Sequence, residues 1–123
     1  MLSVQRYNAI ESACLDEVAR LERHLNILAT IGYIAPLLGL LGTVLGLMEA
    51  FQAVNSTASV YLSVTELASA VNQALITTAS GLAVAIFCYA AYNYLHGRLN
   101  AITLDIEKAA SEITAFFERQ EQN

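Results

Sequence analysis

Two long stretches without charged residues dominate the pattern of this chain. Residues 25–48 contain no Asp, Glu, Lys or Arg, and neither do residues 67–97. A helix needs about 20 predominantly apolar residues to cross the roughly 30 Å hydrocarbon core of a bilayer, so both stretches are long enough to span it. We therefore predict transmembrane helices at residues 27–51 and 67–95.

Apolar residues continue beyond each stretch at alternating three- and four-residue steps, a heptad-like pattern typical of amphipathic helices. The N-terminal seam consists of Tyr7, Ile10, Cys14, Val18, Leu21, Leu25 and Leu28. The C-terminal seam consists of Leu95, Leu99, Ile102, Ile106, Ala109, Ile113 and Phe116. The pattern predicts that each transmembrane helix continues as a long helix, at residues 1–26 and 96–123. These extensions are expected to pack together or against sister subunits.

The basic residues define a topology. All six Lys and Arg residues lie in the terminal segments, and the connecting segment 52–66 has none. Because basic residues concentrate on the cytoplasmic side, both termini are predicted to be cytoplasmic and residues 52–66 to form a periplasmic loop. Ser63 and Glu66 fit a capping box that would open the second helix. The predicted fold is an all-α membrane protein, a single domain over residues 1–123, in which two long antiparallel helices form a transmembrane hairpin with cytoplasmic helical extensions.

Composition narrows the classes of function. The chain is 56% hydrophobic and 14% charged, with a net charge of −5, which fits a lipid bilayer as its environment. Its basic residues form no patch for nucleic acid, so we expect no nucleic-acid partner. The sequence has no phosphate-binding loop, metal-ligand cluster or nucleophile–base pair. We therefore predict no enzymatic activity, no cofactor and no metal site.

Small residues follow one face of the first span. At about 100° per residue, a narrow stripe contains Gly32, Pro36, Gly39, Thr43, Gly46 and Ala50. Gly42 and Gly46 add a G-x-x-x-G pair, which lets membrane helices approach closely. Two interpretations remain open: a packing seam in which Thr43 bonds its own helix, or a narrow polar path lined by Thr43.

Pro36 interrupts this span. Proline lacks an N–H and its ring presses on the carbonyl of Gly32, so we predict a kink or a local opening. At membrane depth the freed carbonyl needs neighbouring helices or water as partners. Pro36 therefore indicates a helix that is buried in an assembly.

The second span carries two polar faces. Thr78 shares one face with Ala74, Gly81 and Ala85, and a second face, about 140° away, contains Gln73, Thr77 and Ser80. Two polar faces indicate contacts on two sides of the helix, as in an oligomer. At about 1.5 Å per residue, Thr43 and Thr78 lie at similar depths in the outer half of the membrane. We predict that these two threonines face the same point.

Neither span has an Asp or Glu near its middle, and Glu49 lies close to the outer end of the first. A proton relay across a membrane usually needs an ionisable group in the interior. Any proton carrier would therefore come from a partner protein.

Two motifs carry a family resemblance. Residues 21–48, LERHLNILATIGYIAPLLGLLGTVLGLM, strongly resemble the second transmembrane helix of ExbB/TolQ proteins. Residues 73–86, QALITTASGLAVAI, and then 91–93, AYN, are similar to their third. The resemblance extends over about residues 18–100. The wider family includes the flagellar stator protein MotA.

The resemblance implies a subunit of a proton-driven motor in the bacterial inner membrane. Such chains form a homo-oligomer, a pentamer in the family, around the transmembrane helices of a small single-span partner of the ExbD or TolR type. That partner supplies the membrane aspartate, and the output is force on a TonB- or TolA-like protein. By motif position, Thr43 and Thr78 correspond to two pore-facing threonines.

Three departures accompany the resemblance. Gln73 replaces a frequent Glu and holds no charge, and Phe87 replaces a usual Pro, which puts a kink there in doubt. The additional N-terminal transmembrane helix of the family is absent, so Met1 starts either a minimal paralogue or a fragment. The alternative functions are a structural membrane hairpin without an ion path and a truncated family fragment.

Overall fold

The computed structural model describes residues 2–56 and 58–122, which form two long α-helices and, within those ranges, no strand. Helix α1 comprises Leu2–Ser56 and helix α2 comprises Val60–Glu121. Met1, Thr57 and Asn123 lie outside the described residues. Both helices contain a segment that is long and apolar enough to cross a membrane. The prediction of an all-α membrane hairpin is confirmed.

The contacts divide the chain into two units. The central unit is Leu28–Ala90, and the terminal unit contains the described residues up to Ile27 and those from Ala91 onward. These divisions lie close to the predicted ends of the membrane spans on the cytoplasmic side. The placement of the membrane boundaries themselves stays a prediction.

The central unit is an antiparallel pair of helix segments. Gly32 lies opposite Cys88 and Tyr89, whereas Gly46, farther along α1, lies opposite Ala74, earlier in α2. The facing surfaces consist of small side chains: Ala35, Ala50, Ala74 and Ala85 are all at most 8% exposed. Small residues allow the two backbones to approach closely, as is typical of helix pairs in membranes.

Large apolar side chains point away from this seam. Leu37, Leu41, Leu45 and Ile86 are among many that are about half exposed or more. In water this arrangement would be unfavourable, because burying apolar area contributes about 25 cal/mol per Å². In a bilayer these side chains meet lipid tails or other transmembrane helices, which are equally apolar.

The connection between the helices is shorter than predicted. Helix α1 ends at Ser56 and α2 begins at Val60, so helix enters the predicted loop segment 52–66 from both sides. The proposed capping box is wrong: Ser63 lies inside α2, and its backbone N–H donates to the Ser59 carbonyl oxygen at 3.0 Å. Ser59 supplies the first acceptor of the helix, which is what an N-cap residue does.

The terminal unit follows its predicted seams only in part. Leu25 and Leu99 are buried, and Tyr7, Cys14 and Val18 are half-buried, but Ile10 and Leu21 are exposed. On α2, several predicted seam residues are exposed instead: Leu95, Ile102, Ala109, Ile113 and Phe116. The inward-facing residues lie mostly one position later: His96, Leu99, Thr103, Ile106, Ala110 and Thr114.

The difference is a shift of the contact face and not a loss of the pattern, because the inward-facing residues from His96 to Ala110 still recur at alternating three- and four-residue steps. Thr103 and Thr114 are tolerated at the seam because their hydroxyls donate to Leu99 and Ala110 carbonyl oxygens, both at 2.9 Å.

Candidate functional site: the Thr43–Thr78 pair

Two threonine hydroxyls meet between α1 and α2 in the central unit. The Oγ1 atoms of Thr43 and Thr78 lie 3.4 Å apart, and both side chains are half-buried. The prediction that these residues face the same point is confirmed. Their role as lining of a pore stays a prediction.

The two hydroxyls are bonded with different strength. Thr43 Oγ1 lies 2.7 Å from the Leu40 carbonyl oxygen of its own helix and 3.3 Å from that of Gly39. Thr78 Oγ1 lies 3.3 Å from the Gly39 carbonyl oxygen across the seam. Hydroxyl hydrogen bonds are usually 2.5–3.0 Å long, so only the Thr43–Leu40 bond is short.

The difference matters because each hydroxyl has only one proton to donate. A hydroxyl donates one hydrogen bond and accepts two. With its proton donated to Leu40 O, the Thr43 oxygen can still accept hydrogen bonds, whereas Thr78 has only contacts of 3.3 Å and 3.4 Å. Thr78 is therefore the hydroxyl that a third polar group at the seam recruits most easily. The Thr43–Leu40 bond is also the contact that the packing interpretation requires, in which Thr43 bonds its own helix.

Glycines create the close approach that brings these hydroxyls together. A Cβ atom at Gly39 would lie 3.2 Å from Thr78 Cα, and one at Gly81 would lie 2.6 Å from the Ala35 carbonyl oxygen. At Gly42 the added atom would collide with the Thr77 side chain, and at Gly46 it would meet Ala74 Cβ at 3.4 Å. All four glycines thus lie at the contact between α1 and α2.

The second polar face of α2 is organised by its own backbone. Thr77 Oγ1 donates to the Gln73 carbonyl oxygen at 2.9 Å, and Ser80 Oγ donates to that of Ile76 at 2.8 Å. Hydroxyls bonded to the carbonyl four residues earlier are a common way to accommodate Ser and Thr within a helix. The Gln73 side chain is exposed. An open groove of about 440 Å³ on this side includes Ala35, Thr77 and Ser80 in its lining.

Pro36 is half-buried and lies two turns before Thr43 on the same face of α1. Helix α1 continues through it without interruption. A continuous helix can still bend at a proline, so the predicted kink stays a prediction.

Some contacts of the central unit have no clear sequence signal. The rings of Tyr33 and Tyr89 meet edge to face, with centroids 5.5 Å apart. The sequence pattern does not identify these two rings as partners. The backbone acceptors Gly39 O and Leu40 O are equally invisible in the sequence, because every residue has a carbonyl. Among the described residues, no three His, Cys, Asp or Glu side chains form a group that could hold a metal ion.

The fold and this seam define an integral membrane helical hairpin with a pair of hydroxyls at its helix crossing. Residues 4–108 match the model of the MotA/TolQ/ExbB proton channel family. The chain belongs to this family.

Individual relatives agree with this assignment. The chain is 38% identical over 112 residues to the Tol-Pal system protein TolQ of Haemophilus influenzae, covering 91% of the chain and 48% of that protein. It is 34% identical over 104 residues to the biopolymer transport protein ExbB of Neisseria gonorrhoeae, covering 85% and 46%. For ExbB of Xanthomonas campestris the identity is 35% over 109 residues, covering 89% and 42%.

The chain spans about half the length, or less, of these curated relatives. No solved structure matches it at a significant level.

Proposed function

We propose that this chain is a channel subunit of a proton-driven, energy-transducing complex in the bacterial inner membrane, and that Thr43 and Thr78 lie on the proton path. The observation that carries the proposal is the pair of hydroxyls 3.4 Å apart at the helix crossing. Membership of a proton channel family supports the same conclusion. The exposed apolar surface of the hairpin fits a position between lipid and further transmembrane helices.

The carboxyl group that carries the proton belongs to a partner in this proposal. Neither predicted span has an Asp or Glu near its middle, and an ionisable group inside a membrane is what a proton relay needs. A single-span protein of the ExbD or TolR type would bring that carboxyl to the seam. This chain then supplies hydroxyls rather than a titrating group.

The Thr78 hydroxyl would stabilise the charged state of this carboxyl. A hydroxyl that donates to a carboxylate forms a charge-assisted bond, which is about twice as strong as a neutral one. Thr43 would accept a hydrogen bond from the protonated form, because its own proton is held by Leu40 O. The pair would thus provide one polar contact for each protonation state of the partner.

The proposed assembly, and the protein on which it acts, are based on the family and on the systems for which the relatives are named. The proposed complex contains several copies of this chain, five if it follows the family, and acts on a TonB- or TolA-like protein. The relatives are named for biopolymer transport and for the Tol-Pal system, and both outputs remain candidates for this chain. The charge distribution supports cytoplasmic termini, because every basic residue lies in the terminal segments.

Replacing the hydroxyl of Thr78 tests the proposal. Thr78→Val keeps the shape of the side chain, so we expect about a tenfold loss of proton flux in liposomes that contain the chain and its partner, corresponding to one lost hydrogen bond. Thr103→Val is the matched control, since Thr103 is also half-buried but lies in the terminal unit. Unchanged flux through a fully assembled Thr78→Val complex would remove Thr78 from the path.

A structural membrane hairpin is the second candidate, and the short Thr43–Leu40 bond favours it, because a packing seam needs no further partner for that hydroxyl. Flux measured with and without the partner separates the two. A structural hairpin gives no flux in either case, although the complex assembles.

A further inference from the structure

We propose that Gly81 is a positioning residue: its missing side chain holds Thr78 in contact with α1. The geometry of the crossing carries this inference. Its consequence for proton flux rests on the proposed function, but the positioning itself does not.

The contact at Gly81 is with backbone rather than with a movable side chain. A Cβ atom there would lie 2.6 Å from Ala35 O, 3.1 Å from Gly39 Cα and 3.3 Å from Gly39 N. None of these atoms can rotate out of the way. An alanine at position 81 therefore forces the two helices apart.

The same backbone segment holds Thr78. Gly81 follows Thr78 by three residues, so the two lie on neighbouring positions of one face of α2. Gly39, which Gly81 touches, is also the residue whose carbonyl oxygen accepts from Thr78 Oγ1. A displacement at Gly81 is thus transmitted directly to the Thr78–Gly39 hydrogen bond.

The expected displacement is large enough to break the hydrogen bonds of Thr78. Bringing the new Cβ from 2.6 Å to an ordinary 3.4 Å from Ala35 O requires a shift of up to 0.8 Å. The Thr78–Gly39 and Thr78–Thr43 contacts are already 3.3 and 3.4 Å long. Both are at the long end of the hydrogen-bonding range, so a shift of this size breaks them.

Helix propensity works in the opposite direction. Alanine is more favourable than glycine inside a helix by about 1 kcal/mol. An effect of Gly81→Ala on the hydroxyls therefore arises at the crossing and not from a weakened α2.

Other glycines provide a graded series of controls. A Cβ at Gly39 would lie 3.2 Å from Thr77 O and Thr78 Cα, a milder conflict at the same crossing. At Gly46 the nearest atom is Ala74 Cβ at 3.4 Å, an ordinary contact, and at Gly97 nothing lies within 4 Å. The predicted order of disturbance is Gly81→Ala, then Gly39→Ala, then Gly46→Ala, with Gly97→Ala silent.

Disulfide formation between positions 43 and 78 measures the positioning without reference to function. The full chain would carry Thr43→Cys and Thr78→Cys, with Cys14→Ala and Cys88→Ala removing the native thiols. Disulfides demand specific separation and direction of the two side chains. We expect oxidation in membranes to slow about tenfold in the Gly81→Ala background, since a misplacement of about 1 Å can cost up to about a hundredfold in a proximity-dependent reaction.

The graded series keeps this test decisive. If Gly81→Ala fails to insert into membranes, Gly39→Ala replaces it and must slow oxidation more than Gly46→Ala does. Equal rates in the Gly81, Gly39 and Gly46 backgrounds would overturn the proposal.

A flux experiment then shows whether Gly81 acts through Thr78. We expect Gly81→Ala to lower proton flux of the partner-containing complex about tenfold, and to add nothing when Thr78→Val is already present, because coupled residues are not additive. If the two losses of proton flux instead multiply in the double variant, the claim that Gly81 acts through Thr78 is contradicted.

The two experiments fail separately. Slower oxidation with unchanged flux in both Gly81→Ala and Thr78→Val would retain the positioning and reject the proposed function. Unchanged oxidation with flux lost in Thr78→Val would reject the positioning and retain the function.

Discussion

At the scale of single residues, Thr43 and Thr78 form a pair whose members differ. Thr43 donates a short bond to Leu40 O, whereas Thr78 has only contacts of 3.3 and 3.4 Å. A hydrogen-bond acceptor that reaches this seam therefore competes with weak bonds for the Thr78 proton and with a strong bond for the Thr43 proton. The hydroxyl that matters most for such a group is that of Thr78.

This asymmetry makes a prediction about the two valine variants. Thr43→Val should lower proton flux less than Thr78→Val, by a margin of about threefold or more, which corresponds to a fraction of one hydrogen bond. Thr78→Ser, which keeps the hydroxyl, should retain most of the flux. Flux in reconstituted liposomes, normalised to assembled complex, is the measurement. A larger loss in Thr43→Val would contradict the assignment of roles.

The sequence predicts the meeting of these residues but not their bonding. Counting residues from the outer ends of the predicted spans 27–51 and 67–95 places Thr43 and Thr78 within a few ångströms of one level, because a helix rises by a constant amount of about 1.5 Å per residue. Which carbonyl each hydroxyl selects depends on side-chain rotation and on how closely the helices approach. Gly39 and Gly81 set that approach, and the sequence shows them only as small residues on the facing sides.

At the scale of helices, the terminal unit keeps heptad spacing but on a face one position away from the predicted one. The sequence places Ile102 on the seam, but the structure leaves it 46% exposed and places Thr103 inward instead. The helices themselves are correctly predicted as continuous, since no breaker separates span from extension. The sequence analysis starts α2 with a cap at Ser63, whereas the helix begins directly after Ser59. Both serines have side chains suited to an N-cap, and only the backbone geometry distinguishes them.

Two substitutions on α2 test this packing. Leu99 is 4% exposed, so Leu99→Ala should cost about 2–5 kcal/mol through loss of apolar contacts and the cavity left behind. Ile102→Ala should cost clearly less. Thermal unfolding of the detergent-purified protein measures both. Equal destabilisation would mean that another subunit covers Ile102, which is the alternative that the sequence leaves open.

At the scale of the whole molecule, small, large apolar and basic side chains occupy different parts of the structure. Small residues face inward in the central unit, large apolar ones face outward, and the basic residues lie only in the terminal segments. The apolar content of the sequence predicts a membrane protein, and the outward-facing Leu and Ile side chains agree with that. What no single chain specifies is the set of neighbours that cover these surfaces, because their side chains belong to other molecules.

Labelling from one side of the membrane tests the proposed topology. In a variant without Cys14 and Cys88, a cysteine in place of Ser59 should react with a membrane-impermeant maleimide added outside the inner membrane. A cysteine in place of Glu118 should react only after permeabilisation, because both termini are proposed to be cytoplasmic. The reverse pattern would invert the topology and with it the direction of the proposed motor.

The most direct test of the central claim is proton flux as a function of the partner's carboxyl. The chain would be reconstituted into liposomes alone, with an ExbD- or TolR-type protein from the same genome, and with that protein after its membrane Asp is changed to Asn. The account predicts flux only in the second case, because this chain supplies hydroxyls at the seam and the partner supplies the titrating group. Equal flux in all three preparations, or none in an assembled complex with the unmodified partner, would contradict it.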